Sequence, residues 1–179
     1  GQWHPAAKGA GPGQLDLQGT IKQADASRVY RYLPLKLPNN VRQYVRDAVR
    51  KGVYSDVQVK VKGDLAKLPF ANPKDGEFRI AGRIQDLELD YWPAALLPPQ
   101  SLPWPRLHKL TGQLVFDRRS MKLSKASARL DDARTGLTIT AGEVDIADMA
   151  NAPVLTVAAE NKGPAAQVLA LVQKSPLDA

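Results

Sequence analysis

The side chains with chemical reach are few and scattered. His4 and His108 have no partner pattern, and each reads as a surface histidine, because a metal site needs several ligands. Asp86, Glu88 and Asp90 alternate along one stretch and would share a strand face. A hard cation takes six or more oxygens, so this row reads as a solvated strand edge and not as a cation site. Asp131-Asp132 reads as a turn by the same logic. The chain has no cysteine, which excludes disulfides and thiolate metal sites. It has no glycine-rich phosphate loop after a strand, no HExxH and no GxSxG. The expectation is a protein that is not an enzyme, with no catalytic residues, no metal and no cofactor.

What remains is charge. The 179 residues carry a net charge of +7, which attracts nucleic acid, anionic lipid headgroups or acidic partners alike. Arg42, Arg46 and Arg50 recur every four residues and form a basic ridge on a helix, with Asp47 placed to pair with Lys51. The ridge fits anionic headgroup or phosphate contact as well as an ordinary solvated face. A nucleic-acid surface would interleave basic residues with exposed aromatics. Tyr30, Tyr32 and Tyr44 lie near Arg28, Arg31 and Arg42, but at helical packing positions, so they are assigned to core and nucleic acid is not expected.

These side chains ride mostly on strands. Gly76–Pro93 alternates cleanly: Phe78, Ile80, Gly82 and Ile84 face one way, Arg79, Ala81, Arg83 and Gln85 the other. After Asp86 the phase slips by one, and Leu87, Leu89 and Tyr91 carry the apolar row on, as a β-bulge would produce. Leu15–Gln23, Asp56–Leu65, Lys109–Asp117, Ser120–Leu130, Leu137–Ile146 and Pro153–Glu160 read as further two-faced strands. In the third of these Leu110, Gly112, Leu114 and Phe116 face in, and the inward row after Lys125 becomes small at Ala126 and Ala128. Helices are expected at about 28–33, capped by Asp25 or Ser27, at 41–51, stopped by Gly52, and at 164–173. The second carries an apolar stripe of Val41, Tyr44, Val45, Ala48 and Val49. The third buries Ala165, Val168, Leu169 and Val172. LPLKLP and the passage through Pro98, Pro99, Pro103 and Pro105 are extended, with Trp92 and Trp104 as anchors. Residues 1–14 read as a flexible segment and 15–179 as a single unit. The opening GQWHPAAKGAGPG reads as a linker, so a segment of a larger protein is expected. No run of 18 or more apolar residues is present to span a bilayer as a helix.

The stretches QLDLQGTIKQADASRVYRYLPL and PVLTVAAENKGPAAQVLALVQKSPL share one plan of strand, polar break, short amphipathic helix and proline. Such repeats tend to build elongated arrays.

RVYRYLPLKLPNNVRQYVRDAVRKGVYSDVQVKVKGDLAKLPF, GEFRIAGRIQDLELDYWP and WPRLHKLTGQLVFDRRSMKLSKASARL together cover Arg28–Leu130. This combination resembles the YhdP-type AsmA-like family of bacterial envelope proteins. The pattern is a YLP element, an amphipathic helix, a strand ending in KGDL, an LPF loop and a GxF strand closing in an aromatic–Pro pair. The resemblance implies a mainly β fold with short helices (α+β): a curved, largely antiparallel open sheet, a β-groove, with amphipathic helices at its ends. It implies a segment of a periplasm-spanning protein anchored in the inner membrane, similar to bridge-like lipid transfer proteins. Phospholipid acyl chains and neighbouring segments of the same parent chain would be its partners. The candidate lipid-binding residues are Val57, Val59, Val61, Phe78, Ile80, Ile84, Leu114, Phe116, Met121 and Leu123. The alternative is a spacer or interaction module of the envelope with a sealed core.

Overall fold

A computed structural model describes residues 1–6, 11–33, 39–96, 99, 104–130, 136–151 and 153–173. Eight strands form one antiparallel sheet in sequence order, a meander with two open edges. They are β1 (Gln2–His4), β2 (Gln14–Asp25), β3 (Val49–Asp64), β4 (Gly76–Leu89), β5 (Leu107–Asp117), β6 (Ser120–Leu130), β7 (Thr138–Ile146) and β8 (Leu155–Lys162). A 3-10 helix, Ala26–Tyr32, and helix α1 (Asn39–Ala48) connect β2 to β3, and helix α2 (Ala165–Gln173) follows β8. The fold is the curved, open, mainly β sheet that the alternation and the family resemblance imply. The connector residues 34–38, the turn at 131–135, Pro98, Pro103 and the side chain of Val172 lie outside the described residues.

The slip predicted at Asp86 is real, and it is one of five. Asp56, Asp86, Lys109, Lys125 and Ala141 each take a left-handed conformation, with φ between 50° and 52°. There is one in each strand from β3 to β7, and each coincides with a register shift. A bulge bends its strand and increases the local twist. Offset by two to four residues from strand to strand, the five form a loose bulge band across the sheet. Each also resets the phase, so an apolar residue faces the same side before and after it: Tyr54 and Val57, Ile84 and Leu87, Leu123 and Ala126.

Four expectations change. Gln2–His4 pair with β2, and Trp3 Nε1 donates to the Pro12 carbonyl at 2.9 Å, so part of the expected flexible segment is an edge strand. Helix α1 ends at Ala48 and not at Gly52. Val49–Gly52 open β3 instead, where Val49 lies opposite Leu89 and Lys51 opposite Glu88. Lys51 therefore leaves the helix and pairs with Asp86 at 3.1 Å, while Asp47 pairs with Arg46 at 3.0 Å. The expected core tyrosines do not form a core, since Tyr32 is 84% exposed and Tyr44 38%. The expected buried face of α2 is open as well: Val168 is 41% and Leu169 59% exposed, and Ala165 is exposed.

The two tryptophans do meet. Trp92 and Trp104 lie 6.5 Å apart, and Tyr91 meets Trp104 edge-on at 5.9 Å. Next to them the Asp90 carboxylate is largely buried between Arg50 at 3.7 Å and Arg106 at 3.4 Å. The backbone N–H of Asp90 donates to the last carbonyl of α1, Ala48, at 2.8 Å. One aspartate thus ties the helix end to the start of β3, the end of β4 and the approach to β5. Glu88 faces His108 at 3.5 Å, so Asp86, Glu88 and Asp90 each have their own basic neighbour. Among the described residues no group of acids and histidines could hold a metal ion.

Candidate functional site

Directly opposed residues of an antiparallel sheet share a face, so the register decides which predicted residues meet. One row runs Gly19, Val59, Ile80, Phe116, Met121, Ile146, Leu155, from β2 to β8. A second runs Gly82, Leu114, Leu123, Val144, Val157. Leu17, Val61 and Phe78 form a third, and Val57 stands opposite Ile21. All ten candidate residues therefore lie on one apolar face. The longest row crosses six inter-strand spacings, about 29 Å at ~4.8 Å each.

The opposite face is ionic. Lys62 pairs with Asp16, Lys60 with Glu77 and Arg79 with Asp117, each at 2.9 Å, and Arg83 pairs with Asp56. Exposed pairs of this kind contribute about 0–1 kcal/mol each. Their larger effect is to hold one face in water and so leave the other as the only apolar side.

The apolar face is not uniform. Around the bulges, Ala26 of the 3-10 helix joins Ile84, Leu87, Leu110, Leu123, Ala126 and Ala128 in one buried cluster, all 8% exposed or less. The turn that delivers Ala26 is held by Asp25. Its Oδ1 accepts from the Ser27 N–H at 3.0 Å and from the Ser27 hydroxyl at 2.6 Å, and this pulls the carboxyl pKa below its usual value. Two of the ten candidates, Ile84 and Leu123, thus belong to a sealed core, and so do the small inward residues Ala126 and Ala128. Val57 and Val61 are also buried, at 2% and 8%. Val59, Phe78, Ile80, Leu114, Phe116 and Met121 are half-buried. Toward the sheet ends the face opens: Leu17 is 38%, Ile21 46%, Leu155 59% and Val157 59% exposed. These four were not among the candidates. The same alternation that selected the others marks them, and the register adds them to the rows.

One polar group sits within the apolar face. Tyr54, opposite Ile84, lies across the bare backbone of Gly82, where a Cβ would stand 2.9 Å from its ring. Its hydroxyl donates to the Leu114 carbonyl at 3.0 Å, two strands away. Burial pushes the Tyr54 phenol up to about 12. An unfolded tyrosine releases its proton near pH ~10. The stabilisation is therefore complete below pH ~10 and is lost as the pH rises from there toward the folded value. Tyr54→Phe is expected to cost about 1 kcal/mol at pH 8 for the lost hydrogen bond. The urea midpoints of the two proteins should converge above pH ~10, as the wild type weakens through a group that the variant lacks. A gap that stays constant through pH ~12 would show that the phenol titrates alike in both states.

A family model described as YhdP protein matches residues 4–179. The chain belongs to the YhdP family. Comparison with curated proteins and with solved structures returns no match. The match extends the resemblance, which rested on Arg28–Leu130, over almost the whole chain, including the exposed β8 and α2. Among the described residues of this YhdP-family chain, no helix is long and apolar enough to cross a membrane.

Proposed function

We propose that this chain is a non-enzymatic segment of a periplasm-spanning, inner-membrane-anchored protein, and that it carries phospholipid acyl chains along its apolar sheet face between the inner and outer membranes. The observation that supports this reading is the seven-residue row from Gly19 to Leu155, which lies outside the core cluster and whose side chains stay half-buried or exposed among the described residues. An acyl chain laid on such a row leaves water at about 0.8 kcal/mol per methylene. The longest row repeats apolar side chains from strand to strand, so a bound chain meets similar contacts at each step and slides. Headgroups stay in water at the open side.

The second reading is a spacer with a sealed core, and the buried cluster around the bulges favours it for that part of the sheet. Native mass spectrometry of the purified chain with extraction of bound lipid separates the two. The expected result is bound phospholipid that delipidation removes and that vesicles restore. A chain that stays empty after incubation with vesicles is a spacer.

A further inference from the structure

Charge is not spread evenly over this protein. Residues 26–50 hold Arg28, Arg31, Lys36, Arg42, Arg46 and Arg50 against Asp47 alone, so they carry five of the seven net positive charges. Arg28 and Arg31 lie in the 3-10 helix, Arg42 and Arg46 in α1 and Arg50 at the start of β3, beside the apolar face, since Ala26 packs into its core cluster. Over the rest of the chain nineteen basic residues stand against seventeen acidic ones, many of them in ion pairs such as those of the ionic face. The side chains of Arg28 and Arg46 remain 63% and 54% exposed although each has an acidic neighbour. Arg31 donates to the Tyr30 hydroxyl at 3.2 Å and stays exposed next to Tyr32.

We propose that this helical rim is the headgroup side of the lipid path and selects anionic over zwitterionic phospholipids. The inference rests on the acyl-chain reading above and adds the substrate class. A lipid whose tails lie on the apolar rows must leave its headgroup at a rim in water. At this rim it meets more arginines than acids, since Arg28, Arg31, Arg42, Arg46 and Arg50 stand with Asp25, Asp47 and Asp90. A phosphate is common to both lipid kinds, but only the anionic kind keeps its net negative charge after the zwitterion's ammonium is counted. Arginine and tyrosine side chains also suit an interfacial position, each having an apolar stem or ring and a polar end. A few basic residues near one headgroup charge in water predict a preference of about fivefold.

The test is competition. The whole chain is incubated with vesicles of equimolar phosphatidylglycerol and phosphatidylethanolamine, re-isolated, and its lipid extracted and counted. Phosphatidylglycerol is expected in about fivefold excess at low salt, with the excess shrinking as salt rises. Arg31→Gln with Arg46→Gln should bring the ratio near one with total lipid unchanged. Lys60→Gln with Lys62→Gln, on the ionic face, should leave it as in the wild type. Lipid captured at the vesicle ratio overturns the selection and leaves the lipid path standing. An equal response of both double variants also overturns it, in favour of a bulk charge effect. A chain that floats with the vesicles yet keeps no lipid on re-isolation makes the rim a membrane-docking surface and overturns the proposal. A chain that neither binds vesicles nor holds lipid removes both readings.

Discussion

Phe70→Ala is expected to lower the unfolding free energy by about 3–5 kcal/mol, the usual range for removing a fully buried aromatic ring. Phe70 is 0% exposed, yet it lies in the loop between β3 and β4, outside the main core cluster. Its ring rests on Gly63 and Gly76, which stand opposite each other and place bare backbone on the apolar side of the sheet. A Cβ at either glycine would come within 2.8–2.9 Å of that ring. Both glycines take left-handed φ values, 136° and 158°, which an alanine would strain. The loop is locked around the ring. The Phe70 N–H donates to the Lys67 carbonyl at 2.8 Å, and Lys67 pairs with Asp75 at 2.8 Å. Without the ring the top of this hairpin has nothing filling it. Leu68→Ala, two residues away and 36% exposed, should cost about 1 kcal/mol or less. Urea unfolding of the two variants side by side checks this, and equal losses would show that the ring packs no better than its neighbour.

Ile80→Glu combined with Met121→Glu should cut lipid retention by more than tenfold while leaving the fold intact. Both residues stand in the longest row, on either side of Phe116, and both are half-buried. In the empty protein each new carboxylate can stay hydrated, so a stability cost of about 1 kcal/mol apiece is expected. With an acyl chain on the row, both would lose water without gaining a partner, which is far more costly. Gln58→Glu places a carboxylate on the ionic face and should leave retention unchanged. If the double variant holds as much lipid as the wild type, the row is not the path and the spacer reading gains.

The bulge band shows how much of the fold was legible in residue order, and how. Within a strand the apolar residues step by two. At Ile84 to Leu87 they step by three, and that irregularity predicts the bulge at Asp86. The same three-residue step occurs at Tyr54 to Val57 and Leu123 to Ala126, where the bulges at Asp56 and Lys125 lie. The signal was present in those strands too, but a single step of three in a short strand also fits a strand that begins or ends there. The end of α1 was less accessible. Val49, Arg50 and Lys51 continue the helical apolar and basic periods, and local preference carries them on to Gly52. Pairing with Leu89 and Glu88, some forty residues on, draws them into β3. A backbone hydrogen-bond ladder with a distant partner outweighs propensity differences of a few tenths of a kcal/mol per residue.

The order of residues determined that this protein is built from strands with one oily and one charged side and that it carries a concentrated basic stretch. Those properties depend on which side chains alternate, and alternation is local. Only the tertiary structure decided which oily positions are covered. Ile80 and Ile84 are the same residue type on the same strand and the same face. Ile84 is 4% exposed in a cluster gathered from β4, β5, β6 and, more than fifty residues earlier, Ala26 of a 3-10 helix, whereas Ile80 remains half-buried in the open row. Alternation specifies a direction for each side chain, whereas its cover comes from chain remote in sequence, and here that difference separates the core of the sheet from its open apolar row.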